Sequence, residues 1–139
     1  MKDNVAVVIP ALDKNQYYPE GDLVRFGDTT LLEWKISQVL GITSKENIYI
    51  ATPSEKIIDL VQNYGLNFIK RSGGVEPSQW IKESVEPIEN KFVLWTHVTS
   101  PFISTEDYRG MLETFFNRSE NCDSLITVFK EQEYIFYQG

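Results

Sequence analysis

Apolar positions fall into runs and stripes that alternate along the chain. Residues 5–9 are continuously apolar and end on Pro10, the pattern of a parallel strand covered on both faces, which predicts a central one. Thr29 and Thr30 then precede Leu31, Leu32, Trp34, Ile36, Val39 and Leu40 before Gly41, a spacing that lays one apolar stripe along a helix. Residues 47–52 alternate as a strand and stop at Pro53; Ser54 then opens a helix whose Ile57, Ile58, Val61 and Tyr64 share a face before Gly65. A short third strand is predicted over 66–69, a loop from Arg71 to Pro77, a helix over 78–85 and a fourth strand over 92–95. Ser104 stands as an N-cap with Asp107 where a capping box usually has Glu or Gln, and Met111, Leu112, Phe115 and Phe116 form the buried stripe of that helix. Residues 124–129 predict a fifth strand, and 131–139 resume an alternating, aromatic-rich strand pattern.

Strand-then-helix order predicts an α/β fold in three layers, a mostly parallel sheet with helices on both faces. Such sheets bind ligands beyond the carboxyl ends of their strands. The loop after residue 95 is the most informative of these, because an apolar run halts on Thr99-Ser100-Pro101 and an N-cap pattern follows. With 139 residues the chain is read as a single domain, 1–139, with one core. Its end on a strand pattern predicts truncation at the C-terminus.

Charge and cysteine content narrow the partners. A net charge of −7, from 20 acidic against 13 basic residues, argues against nucleic acid and anionic membranes. No run has membrane-spanning length, and the N-terminal apolar run is too short and too weakly basic for a signal peptide, so a cytoplasmic location is expected. Cys122 is the single cysteine, which excludes an internal disulfide and a multi-cysteine zinc site; it is expected to be a small buried residue at the start of the fifth strand. Trp34, Trp80 and Trp95 are assigned to packing within their elements.

Three segments together, Val5-Ala-Val-Val-Ile-Pro-Ala11, the run from Phe92 through Thr99-Ser100-Pro101 to Asp107, and Cys122-Asp-Ser-Leu-Ile-Thr-Val128, resemble the N-terminal two-thirds of the acylneuraminate cytidylyltransferase family. The resemblance implies a nucleotide-diphospho-sugar transferase-like, Rossmann-like sheet. It also implies transfer of CMP from CTP to an acidic sugar such as sialic acid, with Mg2+ as cofactor and a homodimer as the assembly.

The family's strand runs into P-A-R-x-G-S-K-G-x-P-x-K-N, which holds the triphosphate through backbone amides and basic side chains. Pro10 and Ala11 match, and the distance to Gly27 agrees without a gap. Leu12, however, stands at the arginine, Asn15 at the serine, Gln16 at the lysine, Tyr17 at the glycine, and Gly21 and Asp22 at the final lysine and asparagine; Pro19 survives. The loop has kept its length and lost its cations, which predicts weak triphosphate binding. Lys14 or Arg25 would be the substitutes, or residues 13–16 form a solvated turn.

Thr96 to Pro101 lies where the family has L-Q-P-T-S-P, with His97 at the glutamine and Ile103 at an arginine. The resemblance therefore implies nucleotide contacts at Pro10, Ala11, Leu12, Lys14, His97, Thr99 and Ser100, and substrate contacts at Arg71 and Asp22. His97 is either a ligand contact or a hydrogen-bonded loop residue, and Arg71 meets a carboxylate or phosphate or makes a surface salt bridge. Gly73 and Gly74 make either a flap or a plain turn. Of the family's acidic pair in S-T-D-D, Ala51-Thr52-Pro53-Ser54 retains no carboxylate, so no metal-ligand set is recognised. No catalytic residue is assigned. The alternative to an active cytidylyltransferase is a noncatalytic nucleotide-sugar binding relative with a decayed phosphate loop; a glycosyltransferase ranks last, because no Asp-x-Asp motif is present.

Overall fold

The computed structural model describes residues 4–74, 76–118 and 120–128. Four parallel strands form the main sheet: β1 (Val5–Pro10), β4 (Ile48–Thr52), β5 (Asn67–Lys70) and β6 (Phe92–Trp95), in the order β5-β4-β1-β6. Two short antiparallel strands, β2 (Arg25–Phe26) and β3 (Thr29–Thr30), form a separate ribbon ahead of the first helix. The helices are α1 (Leu31–Val39), α2 (Glu55–Asn63), α3 (Pro77–Val85) and α4 (Thr105–Arg118).

The continuous apolar run of residues 5–9 has its expected consequence, since every residue of β1 is buried and the strand lies between β4 and β6. On one face Val7, Ile9, Ile48 and Ile50 pack with Leu32, Ile36 and Val39 of α1, Ile57 and Val61 of α2, and Tyr108 of α4. On the other, Val8, Ala51 and Ile69 meet Tyr49, Ile88 and Trp95, beside α3. This is the three-layer arrangement that the alternation predicts. Ile50 is fully buried at the centre of the larger cluster, so Ile50→Ala should cost roughly 2–5 kcal/mol, read as a lower urea midpoint with an unchanged slope.

Local capping follows the sequence closely. Thr30 Oγ1 accepts from Glu33 N at the start of α1, Ser54 Oγ accepts from Ile57 N at the start of α2, and Ser104 exchanges bonds with Asp107 (Asp107 N to Ser104 Oγ, 3.1 Å; Ser104 N to Asp107 Oδ2, 2.8 Å). Asp thus completes a capping box in place of Glu.

Four expectations fail. Residues 124–128 form no strand; Ile126 and Val128 are 80% and 83% exposed, and the rest of that call, with 131–139, lies outside the described residues. Strand propensity needs a ladder partner, and here residues 123–127 run along a groove of about 520 Å³ beside β6 without pairing. The stripe of α4 does pack, Met111 and Leu112 against the larger core cluster and Phe115 and Phe116 against Phe92, but all four are half-buried because they also face that groove. Cys122 is exposed, because it follows the end of α4 and does not begin a strand. Trp34 is also exposed, bonded through its indole to a distant loop, whereas Trp80 and Trp95 do pack, with ring centroids 5.8 Å apart.

Candidate functional site

Each central strand hands its chain on at the same edge of the sheet, and a backbone bond to the neighbouring strand fixes where each loop begins. Ala11 N donates to Ala51 O (3.0 Å), Arg71 N to Thr52 O (3.2 Å) and Thr96 N to Val8 O (3.0 Å). The loops after β1, β4, β5 and β6 therefore leave side by side. Between β1 and β6 the order of strands reverses, since the chain has gone from β1 to β4 and β5 on one side before returning to β6 on the other. A crevice beyond the carboxyl ends of strands at such a switch point is where open α/β sheets take ligands.

Pro10 and Ala11 are buried and Leu12 is exposed where β1 ends, and the loop beyond them folds back on itself. Asn15 Oδ1 accepts from Tyr17 N and Tyr18 N (2.8 and 2.9 Å), and Gly21 N donates to Tyr18 O (3.0 Å). Gly21, at φ 55°, lets the returning chain lie on residues 12–14. Asp22 N then donates to Leu12 O (2.8 Å) and Leu12 N donates back to Asp22 Oδ2 (2.8 Å). The backbone amide at the end of β1 is thus satisfied by a carboxylate from within the chain.

Asp22 is 7% exposed. Burial raises its pKa, with the Leu12 amide and the His97 imidazole pulling the other way. Asp13 contributes a second carboxylate, accepting from Ser54 Oγ (2.9 Å). Lys14 is exposed, and Arg25 Nε donates to Gly27 O (3.0 Å) within its own turn. Residues 15–21 therefore form the internally bonded turn, and Asp13 ahead of it is tied to Ser54.

In the loop after β6, Thr96 is buried, His97 and Thr99 are exposed and Ser100 is half-buried. His97 Nε2 accepts from Trp95 Nε1 (3.1 Å). Helix α1 holds the far side of this loop: Trp34 Nε1 and Gln38 Nε2 both donate to Pro101 O (2.9 Å each), and Lys35 Nζ donates to Ser100 O (2.7 Å).

Arg71 is 7% exposed and makes no ion pair among the described residues. Its guanidinium lies 4.5 Å from the centroid of the Trp80 ring, Nη1 donates to Ser72 O (3.1 Å), and Nε is buried without a partner. Glu83, the nearest acid acting on it, gives its carboxylate to Ser72 N and Oγ (2.8 and 2.9 Å), while burial pushes the Arg71 pKa down. Among the described residues Arg71 makes no surface salt bridge. Neither Gly73 nor Gly74 has a positive φ, and Gly73 passes close to Pro53.

Pro10, Ala11, Leu12, Asp22, Arg71, His97, Thr99 and Ser100 are thus gathered at one edge, with Lys14 on the outer turn. The sequence reading missed Lys35 and Tyr108. One signal was available, because Lys35 sits on the apolar stripe of α1, three residues after Leu32 and four before Val39. Among the described residues no group of three His, Cys, Asp or Glu stands together as a metal site, and no helix is long and apolar enough to cross a membrane.

The chain superposes on the structure of CMP:2-keto-3-deoxy-manno-octonic acid synthetase complexed with CTP with a TM-score of 0.72 at 16% identity, covering 84% of this chain and 48% of that one. A cytidylyltransferase from Leptospira borgpetersenii serovar Hardjo-bovis gives 0.69 at 19% identity, over 82% of this chain and 49% of that one. 4-Diphosphocytidyl-2C-methyl-D-erythritol synthase from Anaerococcus prevotii gives 0.60 at 16%, over 94% and 61%. At these identities the likeness establishes the fold, and the chain spans about half the length of the first two structures. In sequence, a family model described as cytidylyltransferase matches residues 13–138, nearly the whole chain, and this protein belongs to the cytidylyltransferase family.

Proposed function

We propose that this chain is the nucleotide-recognising part of a CMP-sugar synthetase of the acylneuraminate type, which joins CMP from CTP to an acidic sugar. The observation that carries the reading is Arg71, a buried cation that makes no ion pair among the described residues and whose Nε has no partner there, at the same sheet edge as Ala11 and Thr96. A buried guanidinium with an unpaired Nε is costly, and an anionic ligand group relieves that cost. In this reading Pro10 to Leu12, His97, Thr99 and Ser100 contact the nucleotide, and Arg71 meets the sugar carboxylate or a phosphate. The reaction is attack of the anomeric hydroxyl on the α-phosphate of CTP with release of pyrophosphate.

Nucleotidyl transfer of this kind uses Mg2+ to neutralise phosphate charge. The described residues do not fit that ion: Asp13 is bonded to Ser54, Asp22 to the Leu12 amide, and residues 51–54 carry no carboxylate. No step through a metal is assigned to them. One observation favours the second reading, a noncatalytic nucleotide-sugar binding relative. The Leu12 amide, where a phosphate oxygen would be bound, is already occupied by Asp22 Oδ2.

Calorimetric titration tests the proposal. CMP and CTP should bind weakly and within about tenfold of each other, since the loop offers the extra phosphates few cations. Arg71→Met should weaken binding of the acidic sugar or of CMP by about tenfold or more. An unaltered affinity for both in Arg71→Met, or no binding of either nucleotide to the unmodified chain, would overturn it.

A further inference from the structure

We infer that Lys35 is a positioning residue for the loop carrying Thr99 and Ser100, its ammonium tying both ends of that loop to helix α1. As a statement about ligand binding, the inference rests on the nucleotide reading of this loop. As a statement about the loop itself, it does not.

Lys35 is fully buried, on a helix face otherwise given to Leu32, Ile36 and Val39. A buried ammonium costs stability unless it is paired, and Lys35 makes no ion pair among the described residues. Its partners are neutral: Ser100 O at 2.7 Å and the Tyr108 hydroxyl at 2.6 Å, with the Tyr108 ring centroid 5.0 Å away. The Tyr108 hydroxyl is in turn 2.6 Å from Thr96 Oγ1. One charge thus reaches Ser100 directly and Thr96 through Tyr108, at the two ends of the turn that contains His97 and Thr99.

Packing alone would be served better by an apolar side chain of the same length, which would fill the space without desolvating a charge. What an apolar residue cannot supply is donors to the loop. Trp34 and Gln38 hold the adjacent carbonyl of Pro101, so α1 grips two consecutive carbonyls and leaves His97 and Thr99 as the exposed residues of the turn.

The test uses the full chain and two variants, Lys35→Met and Tyr108→Phe, measured by amide hydrogen exchange, denaturation and CMP titration. Lys35→Met should be at least as stable as the unmodified chain, yet its amides over 97–103 should exchange about tenfold faster or more while those of β1 do not change. Tyr108→Phe should act in the same direction but less, because the bond to Ser100 remains. CMP affinity should fall in step with the loss of loop protection.

A pH profile adds a second readout. Burial lowers the Lys35 pKa from its ordinary 10.5 to about 8, so between these values the unfolded chain holds a proton that the folded chain has shed, and stability rises with pH. Among the described residues the titrating group in contact with Lys35 is Tyr108 of α4, whose pKa is raised by burial; its effect opposes the rise above pH 10. Asp107 beside it is held by Ser104. Lys35→Met should lack the rise. Unchanged exchange over 97–103, or a uniform acceleration that includes β1 together with lost stability, would overturn the inference. Failure of the unmodified chain to bind CMP would defeat the nucleotide reading, and the exchange data would still decide the role of Lys35.

Discussion

Gly21→Ala is expected to dismantle the loop after β1 and with it any nucleotide binding at this edge. A Cβ on Gly21 would come within 2.4 Å of Lys14 N, 2.5 Å of Leu12 O and 2.8 Å of Asp13 C, and the residue has φ 55°. The atoms in the way are backbone, so no rotamer change relieves the clash. The left-handed conformation and the overpacking together should cost about 2–5 kcal/mol. The paired bonds between Leu12 and Asp22 lie directly beneath and should be lost. Gly27→Ala is the control, since Gly27 has φ 62° but nothing within 4 Å of its Cβ position; it should cost only about 1–2 kcal/mol. Denaturation curves for the two variants check this, and equal destabilisation would show that the loop yields easily.

Leu12→Arg combined with Gln16→Lys should raise CTP affinity by about a hundredfold or more while changing CMP affinity much less, because each charge-assisted contact to phosphate is worth roughly 1.5–3 kcal/mol. Both positions are exposed, so the substitutions do not disturb the core. Asp13 and Asp22 remain in the same loop and should hold the gain near the lower end of that range. Turnover is a separate matter. Pyrophosphate release from this chain with CTP and an acidic sugar should stay well below about 1 per second, a rate ordinary for enzymes, before and after the double substitution, since the described residues do not fit the metal that neutralises the leaving group. Release at that rate from the unmodified chain would favour an active transferase with an unconventional site.

Much of the architecture was legible in the chain because its causes are local. Burial of β1 follows from five consecutive apolar residues, the helices from stripes three and four apart, and the start of α4 from Ser104 as a cap. The placement of the loops at one edge follows from strand and helix alternating, since parallel strands all end on the same side. Even Asp107, an unusual capping-box residue, was recognisable from its spacing.

The electrical character of the site was decided by the tertiary structure. Whether Asp22 faces a ligand or the chain's own Leu12 amide depends on a turn of Gly21 that residue type alone does not specify, and whether Arg71 is a surface cation or a buried one depends on Trp80 nine residues on. Lys35 reaches Ser100 and Tyr108 across 65 and 73 residues of sequence. Residues 124–128 have strand composition but no ladder partner. The sequence by itself determined the four strands of the main sheet, the four helices and the edge where their loops gather, because periodicity and capping act within a turn or two of chain. Which charges at that edge are satisfied, and which are left without a partner among the described residues, was determined only by the packing of distant segments, because desolvation and hydrogen bonding depend on what lies within a few ångströms in space.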